Sequence, residues 1–330
     1  MGRTHPARSG RNDVIRWLNM RFMDRDGEIL RKIYINDGVL AKRHIAGMFW
    51  FAKNPRAMEQ RLKKLYIEKY IVWPSRLDYR TYPIPEPICW LGWKGALYIA
   101  GLNGVDLPSP KGENENQLRV FQKSLHDHGI RWVREPWWSL LRHNLTTVDF
   151  RLAMERSVGF YPSLILENWT PEGVFRCQMD IVKITVEKFG KLIQVDKGVR
   201  PDAYFEIVDE SRRMAGEAHR ARFLLEIDMG THDNISFGQE KAAPGVAYIQ
   251  SPAYKNRFGY NNGRWLVVTA GGERRMRKMM ERTEQKIGED SHFFFFTTLE
   301  HINAENLLTS PIWWQIGLDD PAPLMPKPLV

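Results

Sequence analysis

The stretch ARFLLEIDMGTHD, residues 221–233, carries a contradiction that decides how the chain is read. Phe223 to Ile227 have the apolar composition of a short buried strand, yet Glu226 lies inside the run and Asp228 follows two places on. Side chains two apart leave a strand on the same face, so both carboxylates project together. Burying a carboxylate is unfavourable without a partner. The two acids therefore face a metal ion, or they cap the strand end against backbone amides or cations such as Arg220 and Arg222.

Working outward, Asp202 follows Pro201 at the start of another strand, PDAYFEIV. If the two strands are neighbours, Asp202 and Glu226 come within reach of one divalent ion, with Asp228 as a third ligand. Mg²⁺ and Mn²⁺ take oxygen ligands, and one or two carboxylates plus water suffice. Further strands are expected at YPSLILENW, RWLVVTA and HFFFFTTL. Helices are expected at 117–128, along HNLTTVDFRLAMERSV with Thr146 or Thr147 as cap, near Ser236, and along GGERRMRKMMERTEQKI. That alternation predicts a mixed sheet covered by helices, with 174–200 as an extra ribbon or insertion.

Charge separates this region from what precedes it. Residues 1–110 hold 19 Lys and Arg against 10 Asp and Glu, and residues 111–330 hold 29 of each, so the whole net charge of +9 sits in the first third. A confined basic field is the footprint of a nucleic-acid-binding module. Its helices are expected along DRDGEILRKIYIND, LAKRHIAGMFW and NPRAMEQRLKKLYIEKYIVW. The third is capped by Asn54 with Pro55 at the first helical position. Its stripe of Met58, Leu62 and Leu65 leaves Arg56, Gln60, Lys63 and Lys64 on the opposite face. Strands at KYIVWP and ICWL follow, joined by a Pro-studded excursion carrying Arg76 and Arg80. Three helices and a two-stranded ribbon make a winged helix-turn-helix, whose third helix enters the major groove while the wing touches phosphates.

The expected division is a basic arm at 1–20, the winged helix at 21–102 and a Pro-, Gly- and Asn-rich linker at 103–116. An α/β domain of the α+β kind follows at 117–318, then a Pro-rich tail at 319–330. Two cysteines, Cys89 and Cys177, supply neither a disulfide framework nor a four-ligand zinc site. No apolar run has membrane-spanning length and the N-terminus lacks a signal-peptide core, so a cytoplasmic protein without membrane contact is expected. HDH at 126–128 reads as surface histidines at a helix end. His143 opens the helix that bears Asp149 and Glu155, one of which is a weaker candidate for the cleft, and His232 is a weaker candidate for phosphate. Gly271-Gly272 lacks the Gly-Lys-Ser/Thr of a nucleotide loop. Arg274, Arg275, Arg277 and Lys278 are expected on a solvated face, with Met276, Met279 and Met280 on the sheet.

Pro201-Asp202 with Glu226-Ile227-Asp228 resembles the core of PD-(D/E)XK nucleases. From about residue 20 to 316 the chain resembles the replication-relaxation family of plasmids and mobile elements. The matching pieces are HNLTTVDFRLAMERS, RPDAYFEI, FLLEIDMGTH, Lys241, WLVVTAGGERRMRKM and LLTSPIWW. The resemblance implies a winged helix followed by a nuclease-like mixed sheet flanked by helices, double-stranded DNA and replication or conjugation proteins as partners, and a Mg or Mn cofactor. An active member of the wider nuclease group would place lysine at position 228, where this chain has Asp228. Lys241 is the substitute, although Pro244-Gly245 interrupts the helix that carries it. The implied catalytic set is then Asp202, Glu226, Asp228 and Lys241, the first three as metal ligands. The alternative is a non-catalytic replication or transcription regulator with a degenerate scaffold domain.

Overall fold

A computed structural model of the protein describes residues 20–50, 54–111, 114–230 and 236–326. The basic arm falls almost wholly outside the described residues, as does His232. The chain divides into two compact units, Met1–Leu145 and Thr146–Val330.

In the first unit, α1 (Asp24–Ile35) buries Ile29, Leu30 and Ile33. A turn through Asn36 to Gly38, with Gly38 at φ +86°, leads to β1 (Val39–Ala41) and α2 (Lys42–Phe49). Strand β1 was not expected, because three residues are too few to show alternation. Helix α3 (Pro55–Ile67) starts as its sequence requires: Asn54 Oδ1 accepts the Ala57 N–H at 3.0 Å, and Met58, Leu62 and Leu65 are buried. Buried Asp26 of α1 accepts from Arg61 Nε of α3 at 2.7 Å, which ties the two helices together.

Strand β2 (Ile71–Val72) and β3 (Ile88–Leu91) complete a three-stranded antiparallel sheet in the order β1-β3-β2. The excursion between them is not only turns. It contains α4 (Arg76–Thr81), started by a reciprocal cap in which Ser75 Oγ accepts from Asp78 N–H and Asp78 Oδ2 accepts from Ser75 N–H. Helix α5 (Trp93–Leu102) follows, then α6 (Glu115–Asp127). The segment after α6 belongs to this unit: Trp132 Nε1 donates to Leu91 O, and Arg131 pairs with Asp37 at 2.6 Å.

Helix α7 (Leu141–Gly159) begins five residues before Thr146, so neither Thr146 nor Thr147 caps it; a 3₁₀ turn at Trp138–Leu140 leads in instead. The second unit is built on a six-stranded mixed sheet. It contains β4 (Leu164–Pro171), β7 (Ala203–Asp209), β8 (Arg220–Asp228), β9 (Arg264–Thr269), β10 (Phe294–Thr298) and β11 (Trp314–Gln315), in the order β11-β10-β9-β8-β7-β4. The β8–β9 and β9–β10 pairs are parallel, and the other pairs are antiparallel.

Alternation sorts the two sheet faces. Phe223, Leu225 and Ile227 pack with Phe150 and Met154 of α7. Leu224, Trp265 and Val267 pack on the other face with Met276 and Met279 of α12 (Gly272–Ile287), Val246 of α10 (Ala243–Ile249) and Tyr254 of α11 (Pro252–Phe258). The expected insertion is a short helix α8 (Glu172–Cys177) and a two-stranded ribbon, β5 (Asp180–Lys188) and β6 (Lys191–Val199). Val182, Ile184 and Val186 of the ribbon join this second core. A short helix α9 (Glu210–Met214) links β7 to β8.

Candidate functional site

The neighbouring ends of three strands bring a row of acids together. Pro171 of β4 lies opposite Ala203 of β7, and Ala203 lies opposite Leu225 of β8. Just beyond these last pairs come Glu172 at the head of α8, Asp202 and, on β8, Glu226. Asp202 is locked in this row: its N–H donates to Leu225 O at 2.9 Å, and its Oδ2 accepts the Ile227 N–H at 2.6 Å. Glu172 and Asp202 are both buried and offer carboxylate oxygens within 4.8 Å of one another.

Glu172 is the residue that sequence reasoning missed. The β-bulge between Glu167 and Thr170, with Asn168 at φ +54°, breaks the two-residue alternation just before it. Pro171-Glu172 at a strand-to-helix corner was the available signal. Glu172 forms ion pairs with Arg200 at 3.1 Å and with Arg176 at 2.8 Å.

Lys241 reaches this row. Its Nζ lies 2.6 Å from Glu226 Oε1 and donates to Oε2 at 2.8 Å. The pair lines a cleft of about 330 Å³ with Arg200, Glu240, Pro244 and Trp265. The lysine side chain remains 44% exposed, as fits a cleft wall. Desolvation pulls its pKa down, but the charges of Glu226 and then Asp202 outweigh that, and the ammonium is held above its ordinary value.

The helix is not broken beside Lys241 in the way Pro244-Gly245 suggested. Gly238–Ala242 form a π turn in which the Ala243 N–H donates to Gly238 O, and Pro244 then falls in the first turn of α10, where its missing N–H is tolerated. Gly238 is required there: a Cβ would come within 2.5 Å of the Arg282 carbonyl of α12.

Asp228 leaves the same sheet face as Glu226, but other groups hold it. Thr269 Oγ1 donates to Asp228 Oδ2 at 2.6 Å, and Arg275 of α12 reaches both carboxylate oxygens. Burial raises its pKa, yet the hydrogen bonds from Arg275 and Thr269 more than offset this and hold the carboxyl below its ordinary value. Asp228 is thus a strand-end anchor, and its partner is Arg275, not Arg220 or Arg222. Arg275 is correspondingly not on the solvated face where the sequence put it. Arg220 pairs with Glu206 and Glu167.

The donor set suits a hard divalent cation. Two buried carboxylates within 4.8 Å, with a third next in the row, are the oxygen ligands that Mg²⁺ or Mn²⁺ requires. Glu155 is tied to Arg151 at 3.0 Å, His143 and Asp149 sit on α7, and His126 and His128 end α6. At the head of α12, Gly272 has φ +72°, and the Gly271 N–H donates to Thr269 Oγ1.

On the first unit, Arg56, Gln60 and Lys63 are exposed on α3 and Lys64 is half-buried, while Arg76 and Arg80 are exposed on α4. Among the described residues, Arg56, Arg76 and Arg80 have no carboxylate within ion-pair distance. Beside them, Tyr66 and Trp73 stack at 4.1 Å. Among the described residues no helix is long and apolar enough to cross a membrane. No family model matches the chain, and no curated protein matches it.

Proposed function

We propose that the chain is a DNA-binding protein of the replication-relaxation type that acts in plasmid or mobile-element DNA processing, with phosphodiester cleavage at the acidic row of the second unit. The observation that carries this reading is the gathering of Glu172, Asp202 and Glu226 at the neighbouring ends of β4, β7 and β8, with Lys241 bonded to Glu226. Glu172, Asp202 and Glu226 would hold Mg²⁺ or Mn²⁺. The bound ion would supply a water of lowered pKa and charge neutralisation at the scissile phosphate.

The chain's own groups have separate tasks. Asp202 is positioned by the Ile227 amide and Glu226 by Lys241. Lys241 stays protonated at neutral pH, so it serves as a cation orienting the attacking water or the phosphate oxygen and not as a general base. Duplex DNA is bound by Arg56, Gln60, Lys63, Lys64, Arg76 and Arg80, with α3 in the major groove and the α4 excursion on the backbone.

One observation favours a second reading. Glu172 and Glu226 each already have a cationic partner within the protein, which suits a non-catalytic scaffold that needs no ion. Incubating supercoiled plasmid with the protein and Mn²⁺ or Mg²⁺, beside Asp202→Ala/Glu226→Ala, separates the two. Open-circle or linear product from the unmodified chain alone supports cleavage. Intact plasmid together with a gel shift supports the scaffold, and absence of both removes the DNA reading.

A further inference from the structure

The β5–β6 ribbon ends in a hairpin that breaks three local rules within four residues. Lys188 lies opposite Lys191, and Phe189 and Gly190 form the two-residue loop between them. Both loop residues have positive φ, +54° and +71°, as a type I′ turn requires. Asn-Gly suits that turn, whereas a bulky side chain in the left-handed region is strained. Phe189 holds the position nonetheless, and it is 92% exposed.

The two lysines are like charges directly opposed across the strands, an arrangement that destabilises a hairpin. Among the described residues neither has a carboxylate within ion-pair distance. Glu187 is adjacent in sequence, but alternation sends it to the other face of the ribbon, across from Leu192. Lys188 Nζ sits 5.6 Å from the centroid of the Phe189 ring.

The packing of the ribbon does not account for these choices. Val182, Ile184 and Val186 enter the core, and Lys197 near the root pairs with Glu240 at 2.7 Å. Beyond those contacts, residues 187–194 are all exposed. Local conflicts gathered on a firmly rooted, exposed tip mark a place shaped for a partner.

The three features suit one kind of partner. Opposed ammonium groups are relieved by anions placed beside them, and a nucleic-acid backbone supplies these in series. An exposed aromatic ring stacks on bases or wedges between base steps. The root of the ribbon gives the direction: Met179, Gly198, Val199 and Arg200 line the same cleft as Glu226 and Lys241. The nine residues of β6 span roughly 27 Å from tip to root. That reach matches about eight base pairs of duplex.

We propose that the ribbon tip is a DNA contact of the second unit, in which Lys188 and Lys191 hold backbone phosphates and Phe189 stacks on the bases. The contact falls about eight base pairs from a phosphate held in the acidic cleft. It presupposes the DNA-directed reading above, but not cleavage.

The test is equilibrium binding of the full chain to a labelled duplex longer than the ribbon, in EDTA so that metal-dependent cleavage does not enter. Phe189→Asn installs a residue that the turn favours. It is expected to keep or raise the melting temperature while weakening binding about tenfold or more. The two lysines add about 1.8 to the salt slope set by the first unit's cations, and Lys188→Gln with Lys191→Gln is expected to remove that share. Stability and affinity moving apart is a result that a purely structural Phe189 does not give. A lowered melting temperature in Phe189→Asn overturns the proposal, as does unchanged DNA affinity. Loss of binding to anionic vesicles in that variant would then assign the tip to a lipid surface. If only Lys63→Glu with Lys64→Glu loses binding, the DNA reading stands and the ribbon contact falls. Absence of binding by the unmodified chain removes both. Weakened binding by Phe189→Asn beside a plasmid left intact in Mn²⁺ keeps the ribbon contact and removes cleavage.

Discussion

Arg275 grips Asp228 through both carboxylate oxygens, Nε to Oδ2 at 2.5 Å and Nη2 to Oδ1 at 2.8 Å. The pair joins the end of β8 to the first turns of α12, and both side chains are mostly buried. Removing one partner of such a pair strands the other, which costs about 3–5 kcal/mol. Arg275→Ala and Asp228→Ala are each expected to lower the urea midpoint by that measure. Asp228→Lys, which writes in the lysine of the nuclease pattern, sets two cations together and is expected to destabilise without raising plasmid cleavage.

The same pair sets an acid limit. The Asp228 pKa is lower folded than unfolded, so its contribution to stability is complete above the unfolded value, about 4, and is lost as pH falls through the folded one. Thermal unfolding followed from pH 6 downward is expected to show a steeper loss in the unmodified chain than in Asp228→Asn, which has no such titration to lose.

Lys241→Met leaves Glu226 without its cation and is expected to reduce plasmid nicking by about 10²-fold or more, with Lys241→Arg retaining part of the activity. The Lys241 pKa is raised on folding, so the stability it contributes is present below the unfolded value, about 10.4, and fades as pH rises beyond it. Equal nicking by Lys241→Met and the unmodified chain would remove the lysine from the site.

Binding to duplex DNA is expected to fall steeply with salt. Five cations, Arg56, Lys63, Lys64, Arg76 and Arg80, set a slope of log K against log salt near −4.5 if each meets one phosphate. Lys63→Glu with Lys64→Glu is expected to abolish the gel shift, and Arg80→Ala alone to reduce the slope by about 0.9.

The two cysteines are expected to react differently. Cys89 is fully buried on β3, and burial pushes its thiol up to about 12, while Cys177 is exposed at the end of α8. A thiol-disulfide reagent at neutral pH should therefore modify one thiol in the folded chain and two after denaturation.

How far the sequence reached depended on how local each signal was. Asn54, Pro55 and the Met58–Leu62–Leu65 stripe fixed α3 because a cap and a helical period lie within a few residues of each other. Strands β7 and β8 were legible from their apolar runs, and they are neighbours in the sheet. Asp228 was not, since its partner lies 47 residues away on another element and nothing near Asp228 announces it. Glu172 was hidden by a bulge, and the seat of Lys241 by a turn one residue wider than an α-helix provides.

That wider turn also restricts what insertions and deletions the region tolerates. Each residue of a helix advances the side-chain direction by about 100°, so losing one residue from Gly238–Ala242 would swing position 241 out of line with Glu226 while leaving the helix able to form. The distance between the acidic strand and its lysine is therefore counted in whole residues, like the teeth of a gear. A chain shortened by one tooth there would be expected to fold, melt normally and yet mesh with nothing.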